Sequence, residues 1–153
     1  MKKSHCSLVA ATAVLATCAV WVAAEPDSSV HAEAKANYPT AAAALKALSE
    51  GNTRFAEGKS KHPHEEQDWR KLLEQGQHPF AVILGCADSR VPPELVFDQG
   101  FGDLFVIRVA GNVVDVDGTA SVEYAIDHLG TPLVVVLGHS HCGAVTAALD
   151  HLS

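Results

Sequence analysis

The sequence is short of basic residues. It has 11 lysines and arginines against 18 aspartates and glutamates, and a formal net charge of −7 at pH 7. No run of basic residues follows the N-terminal segment, so no nucleic-acid partner is predicted, because phosphate binding needs a basic surface. Internal repeats and low-complexity segments are also absent. A length of 153 residues suits one domain with a sizeable core.

Long hydrophobic runs are scarce as well. The longest, Leu8 to Val22, is interrupted by two threonines and is short for a membrane span of about 20 residues. Two lysines precede it and small residues ending at Ala24 follow it, which is the layout of a secretory signal. We predict cleavage after Ala24, with Ala32 as a second candidate; an uncleaved anchor and a lipoprotein signal are the alternatives. The expected organisation is a signal peptide at 1–24, a flexible leader at 25–38 and a domain at 39–153, in an exported, periplasmic protein without stable membrane insertion.

Cysteine becomes rare once the signal is removed. Cleavage takes away Cys6 and Cys18 together with two lysines and no acid, so the mature chain keeps only Cys86 and Cys142 and becomes more acidic. In an oxidising compartment two cysteines form a disulfide or hold a metal as thiolates. Their number alone leaves both interpretations open.

Three aliphatic segments, Phe80 to Leu84, Leu104 to Val109 and Leu133 to Leu137, lack two-residue alternation. This pattern predicts strands covered on both faces. Apolar residues at helical spacing surround them: Leu45, Leu48 and Phe55; Trp69, Leu72 and Leu73; Val122, Ala125, Ile126 and Leu129; Val145, Ala148, Leu149 and Leu152. We therefore predict an α/β fold: an open parallel β-sheet flanked by helices, with amphipathic N-terminal helices. Three strands make a thin sheet, so we expect the sheet to be incomplete and the chain to be part of a longer protein.

Polar side chains follow two of these strands. The first strand runs into "GCADSR" and the third into "GHSHC". Because ligands bind beyond the carboxyl ends of parallel strands, the two loops form one site if the strands are neighbours.

Three chemistries compete for that site. A serine-hydrolase elbow, G-x-S-x-G, fits at Gly138 and Ser140, but Cys142 occupies its fifth position and no suitable Asp and His follow. A dinucleotide site at "GFGDLF" lacks the third glycine and follows no strand. Zinc fits better, because Cys86, His139 and Cys142 would supply three ligands and leave a fourth position open.

The motifs "CADSRVPPE" and "GHSHCGA", joined by "GDLFVIRVAGN" and "SVEYAIDHLG", resemble the β-class carbonic anhydrases, and the similarity covers residues 41–153. The resemblance implies reversible CO2 hydration by a zinc-bound hydroxide in a homodimer or higher oligomer. Hydrolysis of carbonyl sulfide or carbon disulfide, and a non-catalytic zinc-binding module, are the alternatives. The implied residues are Cys86, His139 and Cys142 as zinc ligands, Asp88 and Arg90 as the dyad that orients the hydroxide, and Gln77, Phe105, Ala110 and Tyr124 as substrate-binding residues. Without the resemblance, Asp88 and Arg90 could be an ordinary ion pair, Phe105 and Tyr124 core residues, and Gln77 a turn residue.

Overall fold

The computed structural model describes residues 40–152, so the predicted signal peptide and leader lie outside the described residues. The elements in chain order are α1 (Ala41–Ala56), α2 (Gln67–Leu73), β1 (Ala81–Cys86), α3 (Pro93–Val96), β2 (Leu104–Val109), a 3-10 turn (Ala110–Asn112), α4 (Val116–Asp127), β3 (Val134–Leu137) and α5 (Gly143–Asp150). The three predicted strands and four predicted helices are all present, and α3 and the 3-10 turn were not predicted. Within the described residues, no helix has the length and apolar character to cross a membrane.

The sheet is open and entirely parallel, with the strand order β2-β1-β3. Gly85 on the central strand pairs with Leu137 of β3, and Cys86 pairs with Val109 of β2. The loops that follow β1 and β3 therefore emerge side by side, as the site prediction requires. The predicted α/β class with an open parallel sheet is confirmed.

Local signals set the helix ends. The Thr40 hydroxyl accepts a hydrogen bond from the Ala43 N–H at the start of α1, and Asp115 caps α4 by accepting from the Gly118 N–H. After α4 the chain reverses at Gly130, whose φ of 68° lies in the left-handed region that glycine adopts without strain. This turn brings β3 alongside β1.

The core lies between α1 and the sheet. Ala44 and Leu48 of α1 pack against Phe80, Ala81 and Ile83, all of which are buried. Burial of this aliphatic and aromatic surface is the main stabilising contribution on this side of the sheet.

Coverage of the sheet differs from the prediction in one respect. Only β1 is buried throughout; β2 is half-buried, and β3 exposes Val134 and Val136. The expectation that all three strands are covered on both faces is therefore wrong for β2 and β3, because these strands form the two edges of the sheet. On α1, likewise, Leu45 and Phe55 fit the helical spacing yet remain about half exposed.

Candidate metal centre

Two loops converge on three possible metal ligands. Cys86 is the last residue of β1, His139 follows β3, and Cys142 lies immediately before α5. Their ligand atoms all lie within 4.8 Å of one another, and the two sulfurs are 3.8 Å apart. Both cysteines are free thiols, so the competing disulfide is not formed in this structure.

His139 shows that this cluster suits a cation. Its Nδ1 lies 3.0 Å from the carbonyl oxygen of Ser140, and because a carbonyl only accepts, Nδ1 carries the proton in this bond. In the neutral ring Nε2 then keeps its lone pair. This atom is buried and has no hydrogen-bond partner among the described residues. Two thiols and one oriented imidazole form the donor set that zinc prefers, so the residues present fit a Zn2+ ion.

The surroundings of Cys86 favour its thiolate. The Asp88 N–H donates to its sulfur at 3.4 Å and the Gly111 N–H at 3.2 Å. The Asp88 N–H, the His139 side chain and the Gly111 N–H, in that order, lower the pKa of Cys86 from 9.0 to about 6, against the opposing effect of burial. The interaction with the Cys86 sulfur in turn raises the pKa of His139. Cys86 is thus prepared for metal binding, because the thiolate is the form that binds a metal.

Asp88 and Arg90 form a two-point ion pair beside the cluster. Arg90 donates from Nε to Oδ1 at 2.9 Å and from Nη2 to Oδ2 at 2.7 Å. The hydrogen bonds from the Arg90 side chain hold the pKa of Asp88 well below its usual range. Arg90 also donates to the carbonyl oxygen of His141, which ties the two loops together. Asp88 Oδ2 lies 3.8 Å from His139 Nε2, so the dyad borders the metal position.

The predicted substrate-binding residues do not gather in one place. A cavity of about 270 Å³ beside the cluster is lined by Cys86, Ala87, Asp88, Ala110, Cys142, Gly143 and Ala144. Ala110 belongs to it, whereas Phe105 and Tyr124 contact each other elsewhere, with ring centroids 6.1 Å apart. Phe105 lies four residues before Val109, the last residue of β2. It is therefore roughly 13 Å of strand away from the end of the sheet where the cluster lies.

Gln77 is exposed and precedes β1, at the end of the sheet opposite to the cluster. The six residues of β1 alone extend for roughly 20 Å, so this side chain cannot reach the cavity of its own chain. One chain therefore brings together the three candidate metal ligands, the dyad and Ala110, but not the rest of the predicted pocket.

Sequence reasoning missed two residues that support the cluster. Gly111 donates its N–H to Cys86 from a backbone with φ of 74°, a conformation that favours glycine. Arg108 donates to two carbonyl oxygens of the loop after β1. Arg108 could have been found from the sequence, because it is a charged residue within the otherwise apolar strand β2.

The fold and the cluster define a class: an open parallel α/β protein with a Cys2His cluster, suited to holding a metal ion, beyond the carboxyl ends of two neighbouring strands. Comparison with known proteins identifies the family. The sequence model described as carbonic anhydrase matches residues 81–153. Carbonic anhydrase 2 of Mycobacterium tuberculosis is 58% identical over 107 residues, which are 70% of this chain and 52% of that protein.

Solved structures agree. The β-carbonic anhydrase CcaA superposes with a TM-score of 0.54 at 38% identity, over 69% of this chain and 53% of that one. A Coccomyxa β-carbonic anhydrase in complex with acetazolamide gives 0.53 at 34% identity, over 69% and 47%. The chain belongs to the β-class carbonic anhydrase family, and it spans about half the length of the curated relatives it matches.

Proposed function

We propose that the protein catalyses the reversible hydration of CO2 to bicarbonate and a proton, with Zn2+ held by Cys86, His139 and Cys142. The observation that carries this proposal is the buried Nε2 of His139, which has no hydrogen-bond partner among the described residues and lies within 4.8 Å of two thiols. Membership of the carbonic anhydrase family supports the reaction. A bound zinc ion supplies a Lewis acid that lowers the pKa of water toward neutrality.

Asp88 is the proposed acceptor that orients the attacking water. Its carboxylate borders the cavity and stays ionised, because hydrogen bonds from Arg90 hold its pKa far below neutrality. It can therefore accept an O–H hydrogen bond and direct an oxygen lone pair toward CO2. Ala110 and Ala144 give the cavity an apolar wall, which suits an uncharged, apolar substrate.

The two cysteines set the preferred pH. Two thiolates donate more negative charge than two imidazoles would, so this centre acidifies water less than an all-histidine site. We expect activity to favour alkaline pH for this reason.

A second copy of the chain completes the pocket in this proposal. Gln77, Phe105 and Tyr124 lie outside the cavity of their own chain, so as substrate-binding residues they must serve the cavity of a neighbour. Two structurally similar β-carbonic anhydrases from Sordaria macrospora are described as tetrameric. Sedimentation velocity should show a homodimer or larger oligomer, and full activity in a monomer would exclude a role for Gln77 across an interface.

We place the protein in the periplasm on the evidence of residues 1–24, whose layout is that of a secretory signal. Mass spectrometry of the protein recovered from the periplasmic fraction should give a chain that begins at Glu25. A full-length chain retained in the cytoplasm would contradict this assignment.

The decisive experiment replaces one ligand. Cys142→Ser should lower the zinc content from about one ion per chain to near zero and abolish CO2 hydration, because the site loses a thiolate. Ser140→Ala is the matched control: it removes the serine that a hydrolase elbow would need, and it should keep both zinc and activity. CO2 hydration that persists without zinc in Cys142→Ser contradicts the proposal, and zinc bound without turnover in the wild-type chain indicates a non-catalytic zinc module.

A further inference from the structure

Arg108 lies on β2 but contacts the loop after β1. Its Nε donates to the carbonyl oxygen of Cys86 at 2.9 Å, and its Nη2 donates to the carbonyl oxygen of Asp88 at 2.6 Å. The guanidinium reaches both because Arg108 pairs with Gly85 in the parallel register, two residues before the loop begins at Ala87. A third hydrogen bond joins the loop to β2, since the Ala87 N–H donates to the Val109 carbonyl at 3.2 Å.

These bonds fix the orientation of the peptide groups around Ala87. The two carbonyls bound by Arg108 lie on either side of the peptide that joins Ala87 to Asp88. The N–H of that peptide donates to the Cys86 sulfur. The planar guanidinium presents its donors in a rigid fork, so one side chain sets the direction of both carbonyls at once. The thiol of Cys86 and the carboxylate of Asp88 are thereby held toward the same cavity.

Arg90 and Arg108 hold different parts of the loop after β1. Arg90 binds the side chain of Asp88 and the carbonyl of the facing loop, and its own side chain is 62% exposed. Arg108 is half-buried, and its hydrogen bonds within residues 40–152 go to backbone carbonyls. Without its donors two carbonyls in a partly buried loop would lack partners, which a folded chain avoids by rearranging.

We infer that Arg108 is a positioning residue for the metal centre, holding the loop from Cys86 to Asp88 in the geometry that binds the ion. This inference rests on the proposed zinc site. Outer partners that orient metal ligands typically contribute 10- to 100-fold in metal affinity. The same range is expected here, although Arg108 touches neither the substrate cavity nor a ligand atom.

Two measurements on the full chain test the inference. In zinc-free protein, amide hydrogen exchange of the peptide containing residues 86–90 should be at least tenfold faster in Arg108→Met, which keeps an unbranched stem that reaches about as far as Nε and removes all the donors. Zinc affinity, measured by competition with a chromophoric chelator, should fall 10- to 100-fold. Arg108→Lys retains the charge but not the planar guanidinium. Its exchange rate and its zinc affinity should therefore lie between those of wild type and Arg108→Met. If Arg108→Met does not fold, Arg108→Lys takes its place in both measurements. Arg70→Lys, at an exposed position on α2, should change neither value.

Unchanged loop exchange in a folded Arg108→Met protein overturns the inference, as does unchanged zinc affinity when the loop has loosened. Weaker zinc binding with an unaltered loop also overturns it, since Arg108 would then act through its charge alone. A wild-type chain that binds no zinc contradicts the proposed function instead, and the exchange comparison then decides the role of Arg108 by itself.

Discussion

Two regions of the molecule differ sharply in burial although both are aliphatic: the centre of the sheet, where α1 packs on β1, and the edge formed by β3 with α5. On the side of α1, Leu48 and Ile83 are 1% and 0% exposed, whereas Val136 on β3 and Leu149 on α5 are 63% and 61% exposed. The first group is covered by a helix of the same chain; the described residues provide no such cover for the second. An aliphatic pattern thus predicts that a surface is buried. It does not predict whether the residues that cover this surface belong to the same chain.

The candidate metal cluster takes its residues from both regions. Cys86 comes from the buried central strand, while His139 and Cys142 follow the edge strand β3. Cys86 is therefore fixed by packing around the central strand and by the hydrogen bonds that its sulfur accepts from the N–H groups of Asp88 and Gly111. The loop after β3 depends more on the bond from Arg90 to the His141 carbonyl.

The largest effect should come from Gly51 in α1, where a Cβ would lie 1.7 Å from the Phe97 carbonyl oxygen. Gly51→Ala should destabilise the protein by about 3 kcal/mol, because the backbone clash outweighs the better helix propensity of alanine. Gly118→Ala in α4 is the matched control: its Cβ would meet only the Asp115 carboxylate at 3.3 Å, and the change should cost less than about 1 kcal/mol. Urea unfolding measures both, and equal effects would show that the clash with the Phe97 carbonyl does not set the cost of Gly51→Ala.

A second pair of variants compares one substitution at the centre and at the edge of the sheet. Val82 is fully buried on β1, and Val136 is largely exposed on β3. Val82→Ala should cost about 2.5 kcal/mol through lost burial and a residual cavity, and Val136→Ala about 0.5 kcal/mol or less. Urea unfolding at several protein concentrations provides the comparison. A cost for Val136→Ala that matches Val82→Ala and grows with concentration would show that a second copy covers β3.

A structural feature of this protein can be predicted from the sequence when the interacting residues lie close together along the chain. Strands, helices and the meeting of the two ligand loops follow from hydrophobic periodicity and from strand ends, which are local signals. The contacts of Arg108 depend on the register that sets it opposite Gly85, and no local pattern specifies a register. Gln77 and Phe105 illustrate the same limit: the resemblance suggests their role, which stays a prediction, while the topology decides at which end of the sheet they lie.

The smallest predicted effect concerns Asp98, a buried acid that anchors α1 on the covered side. Its carboxylate pairs with Arg54 and accepts the backbone N–H groups of Lys61 and His62. Burial alone would raise the pKa of Asp98, but these hydrogen bonds outweigh it and lower the pKa below 3.8. Because the unfolded chain then binds a proton at higher pH than the folded one, the stabilisation is present above pH 3.8 and is lost as the pH falls through the folded pKa.

Asp98→Asn isolates the charge, since asparagine tolerates the left-handed backbone found here, with φ of 48°. We expect a loss of about 2 kcal/mol at pH 7 that shrinks steadily below pH 3.8, as measured by urea unfolding at pH 7, 4 and 3. Asp68→Asn is the control, because that side chain is 92% exposed in its pair with Lys71 and should contribute less than about 0.5 kcal/mol at any pH. A difference between wild type and Asp98→Asn that stays constant down to pH 3 would show that shape rather than charge anchors α1.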